Sequence, residues 1–163
     1  MRRLLAVLAA LLPSCDATEA ALDPCPSDQM ATSPDVAILT AKVNPFPVVA
    51  GQWVSAEFTM RFDSWTAATD ISAAYAWFEP IIFGAITLPQ AYPICEVIAC
   101  PIKIGTTVEG LMWYKIIAVP WSIAQSIGSI TVQTRIVAND QSDEMAVGCT
   151  RATVPIAQFA PAP

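Results

Sequence analysis

The sequence predicts an all-β protein, an antiparallel sandwich of about seven strands. Three observations favour this fold class. Apolar segments with strand-like alternation recur along the chain, proline and glycine residues separate them, and no segment has the period of an amphipathic helix. The chain has 163 residues, about one domain, and 55% of them are hydrophobic, so it can bury a core.

The strand candidates follow one another from residue 36 onwards. The clearest is 52–62, because apolar residues alternate there with polar ones. A Pro-rich stretch over 44–51 predicts a turn before it, and Glu79-Pro80 predicts a break between two later strands. The number and spacing of the candidates are typical of an immunoglobulin-like β-sandwich. The candidates are residues 36–43, 52–62, 71–78, 81–88, 106–117, 129–138 and 145–156.

The amino terminus has the layout of a secretory signal peptide over residues 1–17. Two arginines precede the apolar run 4–12, which is too short to span a bilayer, and small residues follow it. Cleavage is expected after Ala17, with Ala20 as the second choice. A signal peptide predicts a protein that is secreted or lies in the lumen of an organelle such as the endosome, lysosome or vacuole.

The rest of the chain divides into three parts. Residues 18–34 lack an apolar period and are expected to form a leader, 35–157 form the domain, and 158–163 are a Pro/Ala tail. The uncharged stretch 116–134 contains a proline, a glycine and an alternating segment, so it is not expected to be a membrane helix. Residues 139–144 predict a polar hairpin turn.

Charge and composition exclude several classes of function. Lys and Arg total 8 against 14 Asp and Glu, and the net charge of −6 leaves no basic surface for a phosphate backbone, which excludes nucleic-acid binding. The chain has no histidine, which removes imidazole bases, His–Zn sites and histidine-activated nucleophiles. We therefore expect no enzyme activity, no metal site and no cofactor.

The five cysteines are candidates for disulfides, because a secreted chain folds in an oxidising compartment. Cys15 is expected to leave with the signal peptide, and a bacterial lipidation site at Cys15 is the alternative. The other four cysteines allow three connectivities. Only four residues separate Cys95 from Cys100, so a bridge between these two is the simplest arrangement, and it leaves Cys25 to pair with Cys149.

Large apolar side chains exceed what a sandwich of this size needs. A plain core is one explanation. The other is an apolar partner, because 81–94 and 119–123 are proline-bearing connections where exposed apolar residues would be disfavoured in water. The aromatic residues concerned are Trp53, Trp65, Trp77, Trp113, Trp121, Tyr75, Tyr92, Tyr114, Phe78 and Phe83.

Several motifs of this chain are shared with a known family. They are Cys-x4-Cys-Pro-Ile from Cys95, Val119-Pro120 before a turn, the segment 138–156 with its strand cysteine, and the Pro-rich stretch 43–51. With them the chain resembles the ML (MD-2-related lipid-recognition) domain family over 36–156. The Niemann-Pick C2-like proteins and the fungal phosphatidylglycerol/phosphatidylinositol transfer proteins are the most similar members. Members are secreted or lumenal sandwiches that hold a lipid between their two sheets.

The resemblance implies a lipid cavity between the sheets and the two disulfides named above. The second short bridge of Niemann-Pick C2 itself has no cysteines here, which favours the phospholipid-transfer branch and weakens the case for a sterol ligand. By the resemblance, the residues at the mouth of the cavity are Leu88, Tyr92, Ile94 and Trp121. Strand alternation adds inward-facing candidates for ligand contact, namely Phe58, Met60, Phe62, Tyr75, Trp77, Met112, Tyr114 and Ile136.

Two functions remain open at this level. The first is a lipid carrier that takes up a sterol or phospholipid, contacts membranes transiently and transfers the lipid between them. The alternative is a lipid-recognition module that does not transfer lipid and acts with a protein partner. An enzyme is the weakest reading, because the sequence offers no nucleophile paired with a base.

Overall fold

The computed structural model describes residues 18–30, 34–67, 69–116, 126–139 and 146–157. The predicted signal peptide, the Pro/Ala tail, Trp121 and most of the turn at 139–144 lie outside these ranges. In the described residues no helix is long and apolar enough to cross a membrane. Two segments, Ser27–Gln29 and Ile71–Ala73, are 3-10 helices, and α1 is Ile94–Val97. The strands are β1 (Thr18–Glu19), β2 (Leu22–Pro24), β3 (Val36–Asn44), β4 (Trp53–Phe62), β5 (Tyr75–Ile82), β6 (Ala85–Ile86), β7 (Gln90–Pro93), β8 (Thr106–Lys115), β9 (Ser129–Val137) and β10 (Gly148–Pro155).

These strands form two antiparallel sheets, which confirms the predicted all-β sandwich. The first sheet has the strand order β1-β3-β4-β8. The second has the order β2-β10-β9-β5-β6, and β7 also pairs with β5. The inward faces of the two sheets meet in one hydrophobic core.

Strand β4 shows how the alternation of the sequence becomes the two faces of a sheet. Phe58, Met60 and Phe62 are buried, whereas Glu57 before them and Arg61 between the last two are exposed. All ten residues of β4 are in register with β8, and β3 lies on the other side. The apolar face of β4 is therefore central to the first sheet and points into the core.

The expected break at Glu79-Pro80 is wrong, because β5 runs through both residues from Tyr75 to Ile82. Pro80 is in register with Val132 of β9, and its carbonyl oxygen accepts a hydrogen bond from the Thr87 N–H on the opposite edge. In an antiparallel strand the N–H and C=O of one residue point to the same side. The nitrogen of Pro80 therefore also points to this edge. Strand β7 pairs with β5 only up to Phe78 and β6 pairs with it only from Ile81, so no ladder hydrogen bond is lost at Pro80.

The other strand boundaries shift by a few residues. The candidate at 71–78 begins with a 3-10 helix, because the Asp70 carboxylate accepts a hydrogen bond from the Ser72 N–H and caps the turn. The candidate at 81–88 holds the end of β5, the short strand β6 and a loop. The candidates at 106–117 and 145–156 contain β8 and β10.

The segment expected to form a leader contributes two short strands. Strand β1 pairs with β3, and β2 pairs with β10, so this segment extends both sheets. The Ala20 N–H donates to the Ala41 carbonyl at 2.8 Å, and Cys25 is bonded to Cys149 of β10. Backbone hydrogen bonds and a disulfide order this segment. Neither interaction requires a periodic pattern of apolar residues, so the sequence pattern did not predict these strands.

Both disulfides predicted from cysteine spacing are present. Cys25 and Cys149, 124 residues apart, have Cα atoms 5.8 Å apart. Cys95 and Cys100 close a small loop at α1, with Cα atoms 5.5 Å apart. The first bridge holds the amino-terminal segment on the second sheet, and the second bridge is local.

The sandwich has two ends. At the loop end, the β3–β4 connection meets β10, since the Val48 N–H donates to the Pro155 carbonyl at 2.9 Å. Strand β5 also finishes there, because Ile81 pairs with Thr131 near the start of β9. The helix end carries α1 and the 3-10 helix Ile71–Ala73.

The outer face of the second sheet carries a buried charged cluster. The Arg135 guanidinium donates to both carboxylate oxygens of Glu79, and the Gln133 amide donates to the same carboxylate at 2.7 Å. Arg151 in turn donates to the Gln133 side-chain oxygen at 2.7 Å. Glu79, Gln133 and Arg151 are register partners across β5, β9 and β10, so the cluster ties three strands together.

Candidate functional site

A cavity lies between the two sheets in the half of the sandwich nearer the loop end. Its volume is about 40 Å³, and strands of both sheets contribute to its wall. None of the described residues that line it is charged. They are Ala41, Val43, Val48, Val54, Ala56, Phe58, Phe78, Met112, Tyr114, Ile116, Val132, Thr134, Ala152 and Val154.

A row of three aromatic rings separates this cavity from the core at the helix end. Phe58 of β4 and Phe78 of β5 meet across the two sheets with ring centroids 5.5 Å apart. Tyr92 of β7 packs edge-on against Phe78, with centroids 6.3 Å apart. Beyond the row, Met60 and Phe62 are fully buried and do not line the cavity. The row thus forms the floor of the cavity.

The cavity is small for a ligand. Pockets that hold drug-sized molecules measure roughly 300–1,000 Å³. A volume of about 40 Å³ has room for little more than a water molecule or two. A lipid chain can therefore enter only if the lining side chains move or the sheets separate at the loop end.

Three of the inward-facing candidates line the cavity, namely Phe58, Met112 and Tyr114. Three others, Met60, Phe62 and Ile136, point inward but lie in the tightly packed half on the far side of the aromatic row. Alternation assigns a residue to a face, but it carries no information on position along the core axis.

The inward assignment of Tyr75 and Trp77 is wrong. Their neighbours Ala76 and Phe78 are buried in the core, so Tyr75 and Trp77 point to the outer face of the second sheet. Trp77 is in register with Arg135 of the buried charged cluster. Because β5 carries aromatic residues on both faces, its sequence pattern does not show which face is buried in the core.

The residues expected at the mouth are placed apart from one another. Leu88 is 66% exposed in the connection between β6 and β7, at the loop end. Tyr92 lies between the edges of the two sheets, where its hydroxyl donates to the Trp113 carbonyl of β8 at 2.7 Å. Ile94 is fully buried at the helix end, so its assignment to the mouth is wrong. Trp121 lies outside the described residues.

The residues that the sequence reading did not assign to the site are mostly small. They come from the apolar faces of β3, β4, β5, β9 and β10, from the Pro-rich β3–β4 connection and from the residue that follows β8. The residues concerned are Ala41, Val43, Val48, Val54, Ala56, Phe78, Ile116, Val132, Thr134, Ala152 and Val154. The contacts expected from the sequence were mainly large side chains, whereas most of these lining residues are alanine or valine.

The polar groups of the cavity wall are few. The Tyr114 hydroxyl is buried, and it has no hydrogen-bond partner in the described part of the chain. Burial, followed by the neighbouring Tyr92 hydroxyl, raises the pKa of Tyr114 well above its ordinary value, so the group stays protonated. Thr134 adds a second hydroxyl to the wall. Within the described ranges, no cluster of Cys, Asp or Glu side chains is arranged to hold a metal ion.

An exposed apolar hairpin lies at the same end of the sandwich as the cavity. Phe83 and Gly84 form a two-residue turn between β5 and β6 with φ angles of 51° and 78°. Two positive φ values are the geometry of a type I′ hairpin turn. The Phe83 side chain is 76% exposed at its tip, and Ile86 and Leu88 follow it as exposed apolar residues.

Comparison with solved structures found several proteins similar to this chain. A Niemann-Pick type C2 protein from the Japanese carpenter ant has 11% sequence identity and a TM-score of 0.51, covering 78% of this chain and 97% of its own. The C-terminal domain of wzt has 7% identity and a TM-score of 0.48, covering 77% of this chain and 75% of its own. Chicken MD-1, solved with lipid IVa, has 18% identity and a TM-score of 0.37, covering 86% of this chain and 80% of its own.

The sequence comparisons are divided. No curated protein matches the chain. The family model of the ML domain matches residues 19–156, from the second residue of β1 to the residue after β10. The two-sheet sandwich and this match over most of the chain show that the protein belongs to the ML domain family.

Proposed function

We propose that this protein binds a lipid between its two sheets and transfers it between membranes. The observation that carries the proposal is the cavity at the loop end, whose wall is made of uncharged and almost wholly apolar side chains from both sheets. Burial of apolar surface would supply the affinity, at about 0.8 kcal/mol per buried CH₂ group. Family membership supports the same reading. Binding of a sterol or a phospholipid, without chemical conversion, is the proposed activity.

The binding step is tested by native mass spectrometry of the purified protein, which should detect a co-purified lipid. A matched pair of variants locates the lipid. Ala152→Leu adds bulk to the cavity wall, whereas Thr153→Leu places the same leucine side chain on the exposed face of the same strand. We expect Ala152→Leu to lose lipid and Thr153→Leu to retain it. Equal lipid content in the two variants would place the ligand elsewhere.

Transfer also requires contact with a membrane, and we assign this contact to the exposed hairpin around Phe83. Phe83, Ile86 and Leu88 place apolar side chains in water at the end of the sandwich that holds the cavity. An apolar tip of this kind can insert into the interface of a bilayer while the sheets separate above it.

The membrane contact is tested with a pair of exposed residues at opposite ends. Phe83→Asn removes the apolar tip and suits the positive φ of this position, and Ile104→Asn makes a comparable change near the helix end. In a vesicle-to-vesicle assay with a fluorescent phospholipid, Phe83→Asn should slow transfer severalfold while lipid binding is kept. Ile104→Asn should transfer at the parental rate. Equal rates for both variants would exclude the hairpin as the contact.

The alternative is a recognition module that binds lipid and a protein partner without transfer. A specific observation favours it, since Trp53 and Trp113 on the outer face of the first sheet are each 56% exposed. They lie diagonally across β4 and β8, because Trp53 pairs with Lys115 and Ser55 pairs with Trp113. Failure of transfer by a protein that binds lipid, together with lost partner binding in Trp113→Ser, would support this alternative.

We also propose that the protein acts outside the cytosol, in a secreted or lumenal compartment. Two disulfides support this location, since such bridges persist in oxidising compartments. The mature chain would then begin at residue 18, with the lipid-binding domain over 35–157 and a short tail over 158–163. Amino-terminal sequencing of the protein secreted by its host cell tests the cleavage site.

A further inference from the structure

The Tyr114 hydroxyl is a buried polar group without a hydrogen-bond partner among the described residues. Tyr114 is 5% exposed and stands in β8 in register with Val54, and both residues line the cavity. Tyr92 offers a direct comparison, since its hydroxyl donates to the Trp113 carbonyl and lies 2.8 Å from the Gln90 side-chain oxygen. Of these two neighbouring phenols, the one in the cavity wall is the one left without a partner.

Such an arrangement destabilises the empty protein. A buried hydroxyl that makes no hydrogen bond loses its hydration without compensation, and most buried polar groups in proteins have a partner. Phenylalanine would fill almost the same space without this penalty. A polar ligand atom that enters the cavity beside the hydroxyl would supply the partner that the described protein residues do not.

The chemistry of that atom follows from the rest of the wall. None of the lining residues carries a charge, and burying a charged lipid group among them would cost far more than one phenolic hydrogen bond returns. The high pKa of Tyr114, caused by burial and by Tyr92, keeps its hydroxyl a donor at every physiological pH. An uncharged acceptor oxygen is the group that this donor fits.

We propose that the Tyr114 hydroxyl is a specificity determinant of the cavity and donates a hydrogen bond to an uncharged oxygen of the bound lipid. This inference rests on the proposed lipid-binding function and narrows its ligand class. The cavity takes a lipid that carries a hydroxyl or carbonyl oxygen on the part inserted between the sheets. Bare hydrocarbon binds less well there, and the charged group of a phospholipid stays outside the cavity.

The experiment compares two ligands that differ in one oxygen. 1-Dodecanol and n-tridecane have similar length, and each is titrated against N-phenyl-1-naphthylamine bound to the purified protein. The ratio of their affinities is measured in the parent, in Tyr114→Phe and in Tyr75→Phe. Tyr75 faces the outer side of β5, so its variant is a matched control for the loss of a phenolic oxygen.

In the parent the alcohol should bind better than the alkane. In Tyr114→Phe the affinity ratio should fall about fivefold, the usual effect of one neutral hydrogen bond, with the alkane bound at least as well as by the parent. Tyr75→Phe should keep the parental ratio. An unchanged ratio in Tyr114→Phe would overturn the inference and leave lipid binding intact. If neither ligand displaces the probe from the parent, the proposed lipid binding fails and the inference fails with it.

Thermal unfolding of the ligand-free variants gives a second, independent measurement. Because the Tyr114 hydroxyl has no partner among the described residues, Tyr114→Phe should unfold at the parental temperature or above it. Tyr92→Phe, which removes a donor to the Trp113 carbonyl, should unfold at a lower temperature. A loss of stability in Tyr114→Phe as large as that in Tyr92→Phe would show that the hydroxyl already has a partner, and it would overturn the inference.

Discussion

Phe58 and Phe78 meet across the two sheets with ring centroids 5.5 Å apart and ring planes inclined by 54°. Each ring is the last cavity-lining side chain of its strand toward the helix end. Their contact therefore separates the half of the interior that contains the cavity from the closely packed half toward the helix end.

The first prediction concerns this ring contact. Phe58→Ala and Phe78→Ala should each lower the free energy of unfolding by about 3–5 kcal/mol, since each removes a buried aromatic ring. In the double variant the loss should be smaller than the sum by about 0.5–1.5 kcal/mol, the interaction of the rings themselves. Urea denaturation of the four proteins measures both values. Strict additivity would mean that the rings do not interact.

The second prediction compares two ion pairs. Glu79→Gln should cost about 3–5 kcal/mol, because it removes the carboxylate charge that accepts hydrogen bonds from Arg135 and Gln133 inside the buried charged cluster. Asp63→Asn breaks the pair between Arg61 and Asp63, whose side chains are each 48% exposed, and should cost at most about 1 kcal/mol. Chemical denaturation gives both numbers. A similar loss of unfolding free energy in the two variants would contradict the buried position of the charged cluster that contains Glu79.

The third prediction concerns acid stability and the buried carboxylate of Asp35. Burial raises its pKa, but hydrogen bonds from the Ser64 hydroxyl and from the N–H and hydroxyl of Thr66 outweigh this effect and hold the pKa below its ordinary value. A lowered pKa in the folded state stabilises the protein above the unfolded pKa of about 3.9. This contribution is lost as the pH falls through the lower folded value.

Melting temperatures of the parent and Asp35→Asn between pH 7 and pH 2 measure this effect. The parent should melt higher at pH 7, and the difference should shrink below about pH 4. Ser72→Ala provides a control, because it removes a hydrogen bond to the exposed Asp70 and should change the profile little. A difference between parent and Asp35→Asn that is the same at all pH values would show that Asp35 acts only through its shape.

The fourth prediction separates the two disulfides. Replacing Cys25 and Cys149 by alanine opens a loop of 124 residues and should cost about 5 kcal/mol on the chain-entropy model. Replacing Cys95 and Cys100 opens a loop with a separation of 5 residues and should cost about 2 kcal/mol. Peptide mapping without reduction should recover these two pairs. A peptide that joins Cys25 to Cys95 would contradict the structure.

The fifth prediction concerns the register of β8, which determines which of its side chains face the cavity. It can be tested without a ligand. Met112 is buried in the cavity wall, whereas Leu111 beside it faces outward and is exposed. Met112→Ala should cost about 2–5 kcal/mol and Leu111→Ala less than about 1 kcal/mol, as measured by denaturant unfolding. The reverse order would indicate a one-residue slip of β8 against β4.

The sequence by itself determined the fold class, the inward face of β4 and the pairing of the four described cysteines. Each of these follows from a local property: alternation has a period of two residues, and two cysteines with only four residues between them close their own loop. The ML domain resemblance depended on the same local spacing, and the family match agrees with it.

Only the tertiary structure decided which part of the core is a cavity and which hydroxyl is left without a partner. Pro80 is accepted in β5 because its neighbours on one edge change from β7 to β6, a fact of sheet topology. The orientation of Tyr75 and Trp77 depends on which face of β5 meets the first sheet. Packing volume and hydrogen-bond partners depend on residues distant in sequence. The alternation of a strand therefore predicts which residues share a face, but only the packing of the two sheets determines which face is buried.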